Sequence, residues 1–355
     1  MSPPKDDDHD TDTEGEGVPD ALSVHLDRGW DLLKENDLDG ARISAKAAAD
    51  EDPSAPEPET LFGAIAAAAG DEDGAMRHYR RAMKLDREYV PPMLYAAELL
   101  LWPNEEFEDA LELIDRALEH ADDEEDFIDA LLLKAEALID MGAENDEAKA
   151  VLEELPPTQL PDASFHVRAA RCFLDLEMLD DAEEHFQQAL VLDAGAADAY
   201  HGLGIVYEER DDTRAMVKAF LKVRELDLEA SPAPWSMSQD EFEKVAEEAL
   251  AELPERIRDL LGNVPIVAAD YPSIEIVAEG NDPRMLGFFS GVPYPEKTSL
   301  GGVPHLDCVF LYQQNIERMS KSREEAAREI RTTLLHETGH FFGLSEEELE
   351  AMGLG

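Results

Sequence analysis

A short phrase of alanines behind an acidic turn returns along this chain, and it limits the fold more than any other feature. Ala41, Ala45 and Ala48 are matched by Ala75, Tyr79 and Ala82, 34 residues further on. The same phrase returns as Ala110, Ile114 and Ala117, and again as Ala182, Phe186 and Ala189. Residues three and four apart share one face of an α-helix, so each phrase reads as a helix with a buried small-residue stripe. Acidic turns such as Asn36-Asp37-Leu38-Asp39-Gly40 separate the helices. A repeated helix pair cannot bury its apolar face alone and must stack on its neighbours. Residues 21–228 are therefore expected to form about six stacked helix pairs, with a degenerate fourth around 126–157, where Pro156, Pro157 and Pro161 interrupt the stack.

The period, together with the run Tyr200-His201-Gly202-Leu203-Gly204-Ile205-Val206-Tyr207, resembles the tetratricopeptide repeat (TPR). The run matches that repeat's W-x2-L-G-x2-Y opening with Tyr in the place of Trp. Gly29 and Gly63 hold the equivalent small-residue position in the first two units, where paired helices must approach closely. The resemblance implies a right-handed α-solenoid whose concave face binds a protein or peptide. A plainer reading stays open, in which these helices only pack against and cap the carboxy-terminal domain, since a repeat fold does not specify function. Tyr79, Phe173, Phe186 and Tyr207 read as filler between units; His78, His166, His185 and His201 read as surface or packing residues.

Charge narrows the partners. The chain carries 30 Lys and Arg against 83 Asp and Glu, a formal net charge of −53. Such a surface repels nucleic acid and anionic membrane, whose binding needs Lys and Arg, and favours basic partners. The same acidity would also mark a protein of a salt-adapted host. Cys172 and Cys308 are the two cysteines, so no disulfide framework is expected and a reducing compartment is. The amino terminus lacks the apolar core of a signal peptide, and no stretch is apolar enough to cross a bilayer; the expected location is cytoplasmic. Residues 1–20 are acidic without apolar pattern and are expected to be a disordered tail.

Past a Pro- and Ser-punctuated linker at 229–237 the periodicity changes. Ser238 and Glu241 form a capping box that opens a helix over 239–252, with Phe242, Val245, Ala246, Ala249 and Leu250 on its buried stripe. Three apolar runs, 264–269, 285–289 and 307–312, read as strands between Gly- and Pro-rich loops, and a helix comes next over about 323–342. Residues 238–355 are thus expected to form a small α+β domain with a core of its own.

That last helix carries His336-Glu337-Thr338-Gly339-His340, an H-E-x-x-H motif. Histidines four apart on a helix reach a single metal ion, and the glutamate beside the first is placed to act as general base. Gly343 falls where a helix stop is needed, and Glu346 comes after it in position to serve as a third ligand. Two imidazoles and a carboxylate would leave the fourth tetrahedral position of Zn2+ open, as hydrolysis requires. Glu346, Glu347 and Glu348 also read as an ordinary acidic helix start behind Ser345.

The segment from the Leu-Pro after the 239–252 helix, through Leu-Gly-Phe-Phe-Ser-Gly-Val-Pro, to Ile-Arg-Thr-Thr-Leu-Leu-His-Glu-Thr-Gly-His-Phe-Phe-Gly-Leu is similar to the bacterial minimal zincin-like metallopeptidases. This resemblance implies His336, His340 and Glu346 as zinc ligands and Glu337 as catalytic base, with Glu at a third-ligand position where Asp is common. It implies a zinc-dependent peptidase (a hydrolase), for which the repeats would recruit a protein substrate, basic in keeping with the charge. The strand over 307–312 is expected beside the cleft as a rail for an extended peptide. Tyr294, Tyr312 and His305 are candidates to assist the oxyanion, though each reads more readily as a structural residue, and Cys308 reads as a core residue. The alternative is a non-catalytic adaptor with a structural zinc domain.

Overall fold

The computed structural model describes residues 20–102, 104–142, 145–156, 160–252, 264–291 and 308–345. The chain divides into two compact units, Met1–Pro161 and Asp162–Gly355.

The first unit is four antiparallel helix pairs: α1 (Ala21–Lys34) with α2 (Leu38–Glu51), α3 (Glu57–Ala68) with α4 (Glu72–Leu85), α5 (Pro91–Leu101) with α6 (Phe107–His120), and α7 (Glu124–Asp140) with α8 (Asn145–Leu152). The alanine phrase is its core. Ala41, Ala45, Ala48, Ala75, Ala82, Ala110, Ile114 and Ala117 are all fully buried. In the first two pairs the acidic residue ahead of the second helix caps it: the backbone N–H of Gly40 donates to Asp37 and that of Gly74 to Asp71, both at 2.9 Å. The fourth pair, expected to be degenerate, has a short second helix of eight residues.

The second unit begins with two more pairs, α9 (Ala163–Asp175) with α10 (Leu179–Leu192) and α11 (Ala197–Glu209) with α12 (Thr213–Asp227). Beyond them come α13 (Gln239–Glu252), β1 (Ile266–Ala269), α14 (Ile274–Ala278), β2 (Gly287–Ser290), β3 (Cys308–Tyr312), α15 (Gln313–Met319) and α16 (Arg323–Phe341). The sheet order is β1-β3-β2, with β1 parallel and β2 antiparallel to β3. The central place of β3 explains its unbroken apolar run: Cys308, Val309, Leu311 and Tyr312 are buried. Phe242, Ala246 and Ala249 of α13 meet Val309 and Leu311 of β3 and Ile330 and Leu334 of α16 in one core.

The stretch read as a linker is fastened to this core. The backbone N–H of Met237 donates to Glu317 at 2.9 Å, Gln313 donates to the Met237 carbonyl at 2.7 Å, and Arg323 donates to the Trp235 carbonyl at 2.7 Å. The last repeat pair is bound in as well. Arg284, just ahead of β2, reaches Asp198 of α11 at 2.6 Å and Asp227 of α12 at 3.1 Å, and Arg318 of α15 reaches Asp227 at 2.8 Å. His201, expected to be surface or packing, lies 3.0 Å from Asp282; a partner 81 positions away leaves no local signal. No helix among the described residues is long and apolar enough to cross a membrane.

Candidate metal centre

The site is built on α16. Its start is capped, the backbone N–H of Glu325 donating to the Ser322 hydroxyl at 3.2 Å while Glu325 reaches back to the N–H of Lys321 at 2.6 Å. Ala326, Ile330, Thr333 and Leu334 bury one side of the helix, and this fixes which way the last two turns face. His336 and His340 then converge, with 2.9 Å between their Nε2 atoms.

The end of the helix contributes directly. Gly343 takes φ +81°, a left-handed conformation that suits glycine. The Leu344 N–H then donates to the Gly339 carbonyl at 3.1 Å and the Gly343 N–H to the His340 carbonyl at 2.9 Å, the paired bonds of a Schellman motif. This turn brings the Leu344 carbonyl to 3.3 Å from Nδ1 of His340. A proton held on Nδ1 by that carbonyl leaves the Nε2 lone pair for a metal.

Glu337 is no surface residue: it is 6% exposed. It can be accommodated because Gly287 of β2 faces it without a side chain. A Cβ there would stand 2.6 Å from Thr333 Cγ2 and 2.9 Å from Glu337 Cγ. Strand and helix thus close on Glu337, and between them lies a cavity of about 540 Å³ reached by His336, Glu337 and His340 and walled by 285–289 of the β2 segment.

This arrangement corrects the expected rail. β3 has β1 on one side and β2 on the other, so its backbone groups are engaged in the sheet. β2 is the strand that lines the cavity, and among the described residues it pairs with β3 alone. Tyr312 is 1% exposed, too deep to touch a molecule in the cavity. Burial, and after it the charge of Glu337, push its phenol well above the ordinary value. Tyr294, His305 and Glu346 lie outside the described residues, as does the Ser345–Glu348 capping box beyond Ser345. Cys308 is buried, as a core residue should be.

Among the described residues no group of three or more His, Cys, Asp and Glu side chains gathers as a metal cluster. The donors that are in place fit zinc: two converging imidazoles, one with its tautomer set by a carbonyl, on the wall of a cavity.

Residues 261–355 match the zincin-like metallopeptidase family. The second unit therefore ends in a zincin-like domain, and the helices of the first unit and of the start of the second are TPR-like helix pairs. No curated protein matches the chain. Similar solved structures include TPR proteins. Pseudomonas aeruginosa pilF is 15% identical, over 63% of this chain and 97% of its own, with a TM-score of 0.47. A tetratricopeptide repeat protein from Parabacteroides merdae is 17% identical, over 68% and 97%, with a TM-score of 0.40.

Proposed function

We propose that this protein is a zinc-dependent peptidase whose TPR-like array recruits a protein substrate or partner. The observation that carries the reading is the convergence of His336 and His340 on a cavity wall beside a buried Glu337. His336, His340 and Glu346 would hold the metal. When bound, zinc supplies a Lewis acid that lowers the pKa of water from about 15.7 toward 7 and polarises a carbonyl.

The chain's own residues do the rest. Glu337 accepts the proton of the attacking water and returns it to the leaving amine nitrogen. The close approach of Gly287 holds its carboxylate in one place, so little reorganisation accompanies the transfer. The β2 edge offers backbone donors and acceptors to an extended peptide, which would lie along the cavity as an added strand. The location would be cytoplasmic and the substrate basic, in keeping with the charge of −53.

Two variants test the reading. Glu337→Gln should retain about one zinc per chain and lose hydrolysis by about 10²–10⁴-fold. His336→Ala should lose zinc and hydrolysis together. Metal content by elemental analysis, measured beside peptide cleavage, checks both; cleavage undiminished in Glu337→Gln would sink the mechanism. Zinc bound by the native chain with no cleavage of any peptide would leave the non-catalytic adaptor, in which Glu337 has no task.

A further inference from the structure

The cavity runs on along α16 beyond the turn that carries the histidines. On its helix side it reaches Thr333, Thr332 and Glu329, and on its strand side Met285 and Leu286. Glu329 is half-buried, and among the described residues its carboxylate makes no hydrogen bond or ion pair. It stands seven positions before His336, on the same helix face and about 10 Å along the axis. An extended peptide advances about 3.3 Å per residue. A peptide passing the histidines would therefore bring a side chain to Glu329 about three residues from the bond held there.

We infer that Glu329 sets the specificity of this cleft, selecting a peptide with a Lys or Arg side chain at that distance from the scissile bond. The inference rests on the peptidase reading above and names its substrate class. The physical reason is desolvation. A substrate lying over Glu329 strips water from a carboxylate that has no partner among the described residues, which is costly unless a cation replaces the water. Lys and Arg meet both demands of the wall: the methylene stem lies along Met285 and Leu286 while the charged head reaches the carboxylate. A Gln in the substrate leaves the charge unmatched, and a Glu is repelled. The net charge of −53 attracts cationic peptides at long range regardless of where the cation sits; Glu329 acts at one position only.

The test uses the full-length, zinc-replete chain carrying Glu337→Gln, so that bound peptide is not consumed. Fluorescein-labelled peptides differ at one position, moved in turn along the chain, which holds Lys, Gln or Glu; affinity is read by fluorescence anisotropy at physiological salt. At one position, or two adjacent ones, Lys should bind about tenfold tighter than Gln. Adding Glu329→Gln should bring that ratio to parity, and adding Glu329→Lys should invert it in favour of the Glu peptide. A Lys-to-Gln ratio unmoved by either variant overturns the inference. A preference that moves as expected, together with no cleavage by the native chain, overturns the peptidase reading and leaves Glu329 as a selector of basic peptides. No peptide bound at any position overturns both.

Discussion

Gly287 matters as much to the proposed chemistry as the histidines, although it bears no reactive group. Its missing side chain is the space that lets β2 close on Glu337. Gly287→Ala would set a methyl 2.6 Å from Thr333 Cγ2 and 2.9 Å from Glu337 Cγ, so strand or helix must move. Overpacking of this kind costs about 1–3 kcal/mol, and we expect that loss in the thermal unfolding of the variant. Hydrolysis should fall further than stability does, because Glu337 is displaced from its position, while zinc content should hold, since neither His336 nor His340 is part of that contact. Equal activity in variant and native chain would show that Glu337 does not need this packing. The motif itself was legible residue by residue; the glycine that serves it was not, because it lies 50 positions away and only the folded sheet brings it near.

At the scale of an element, α11 shows packing and propensity in opposition. Gly204 sits mid-helix, where glycine is disfavoured by about 1 kcal/mol against alanine. On propensity alone Gly204→Ala would stabilise the helix. A Cβ at that point would run into the ring of Phe220 on α12, and Phe220 is 1% exposed, so it has no room to retreat. We expect Gly204→Ala to lower the stability of the second unit by about 1–3 kcal/mol, measured by denaturant unfolding; a gain would refute the account. Local signals reach some elements and not others. Capping boxes and periodicity placed α13 and α16 almost to the residue, because both signals are local. Each strand starts one or two residues later than its apolar run, and β2 pairs one residue beyond its run, to Ser290, since pairing depends on the neighbouring strand as well as on hydrophobicity. The short α14 and α15 gave no periodic signal at all: five and seven residues are too few to show one.

For the second unit as a whole, charged groups far apart in sequence join the last repeat pair to the zincin-like domain. Asp227, with a side chain 3% exposed, lies between Arg284 and Arg318. Asp227→Ala would leave two partly buried guanidinium groups without their shared carboxylate, a loss of about 3–5 kcal/mol. Acid should act on the same region. Burial alone would raise Asp198 and Asp282, but Arg284 beside the first and His201 beside the second outweigh it and hold both carboxyls below the ordinary value. A carboxyl depressed in the folded chain adds stability that is complete above its unfolded value, about 3.9, and is lost as pH falls through the folded value. The thermal midpoint of this unit should therefore drop in acid below about pH 4. Calorimetry across that range, on native chain and Arg284→Met, checks it: the slope should flatten in the variant, and an identical slope would remove these carboxyls from the account.

Sequence alone determined the repeated helix pairs, the capped helix that bears His336, Glu337 and His340, and the left-handed stop at Gly343. All of these depend on interactions within about one or two helical turns, so their cause is written in neighbouring residues. Tertiary structure decided which strand lines the cavity, what lies against Glu337, that Glu329 shares the cavity with the histidines, and that the last repeat pair packs with the zincin-like domain. Those outcomes turn on which surfaces meet after the elements form. Strand order within a sheet and ion pairs across 57 or 86 positions are settled by burial and charge balance over the whole unit, which no local window of the chain contains.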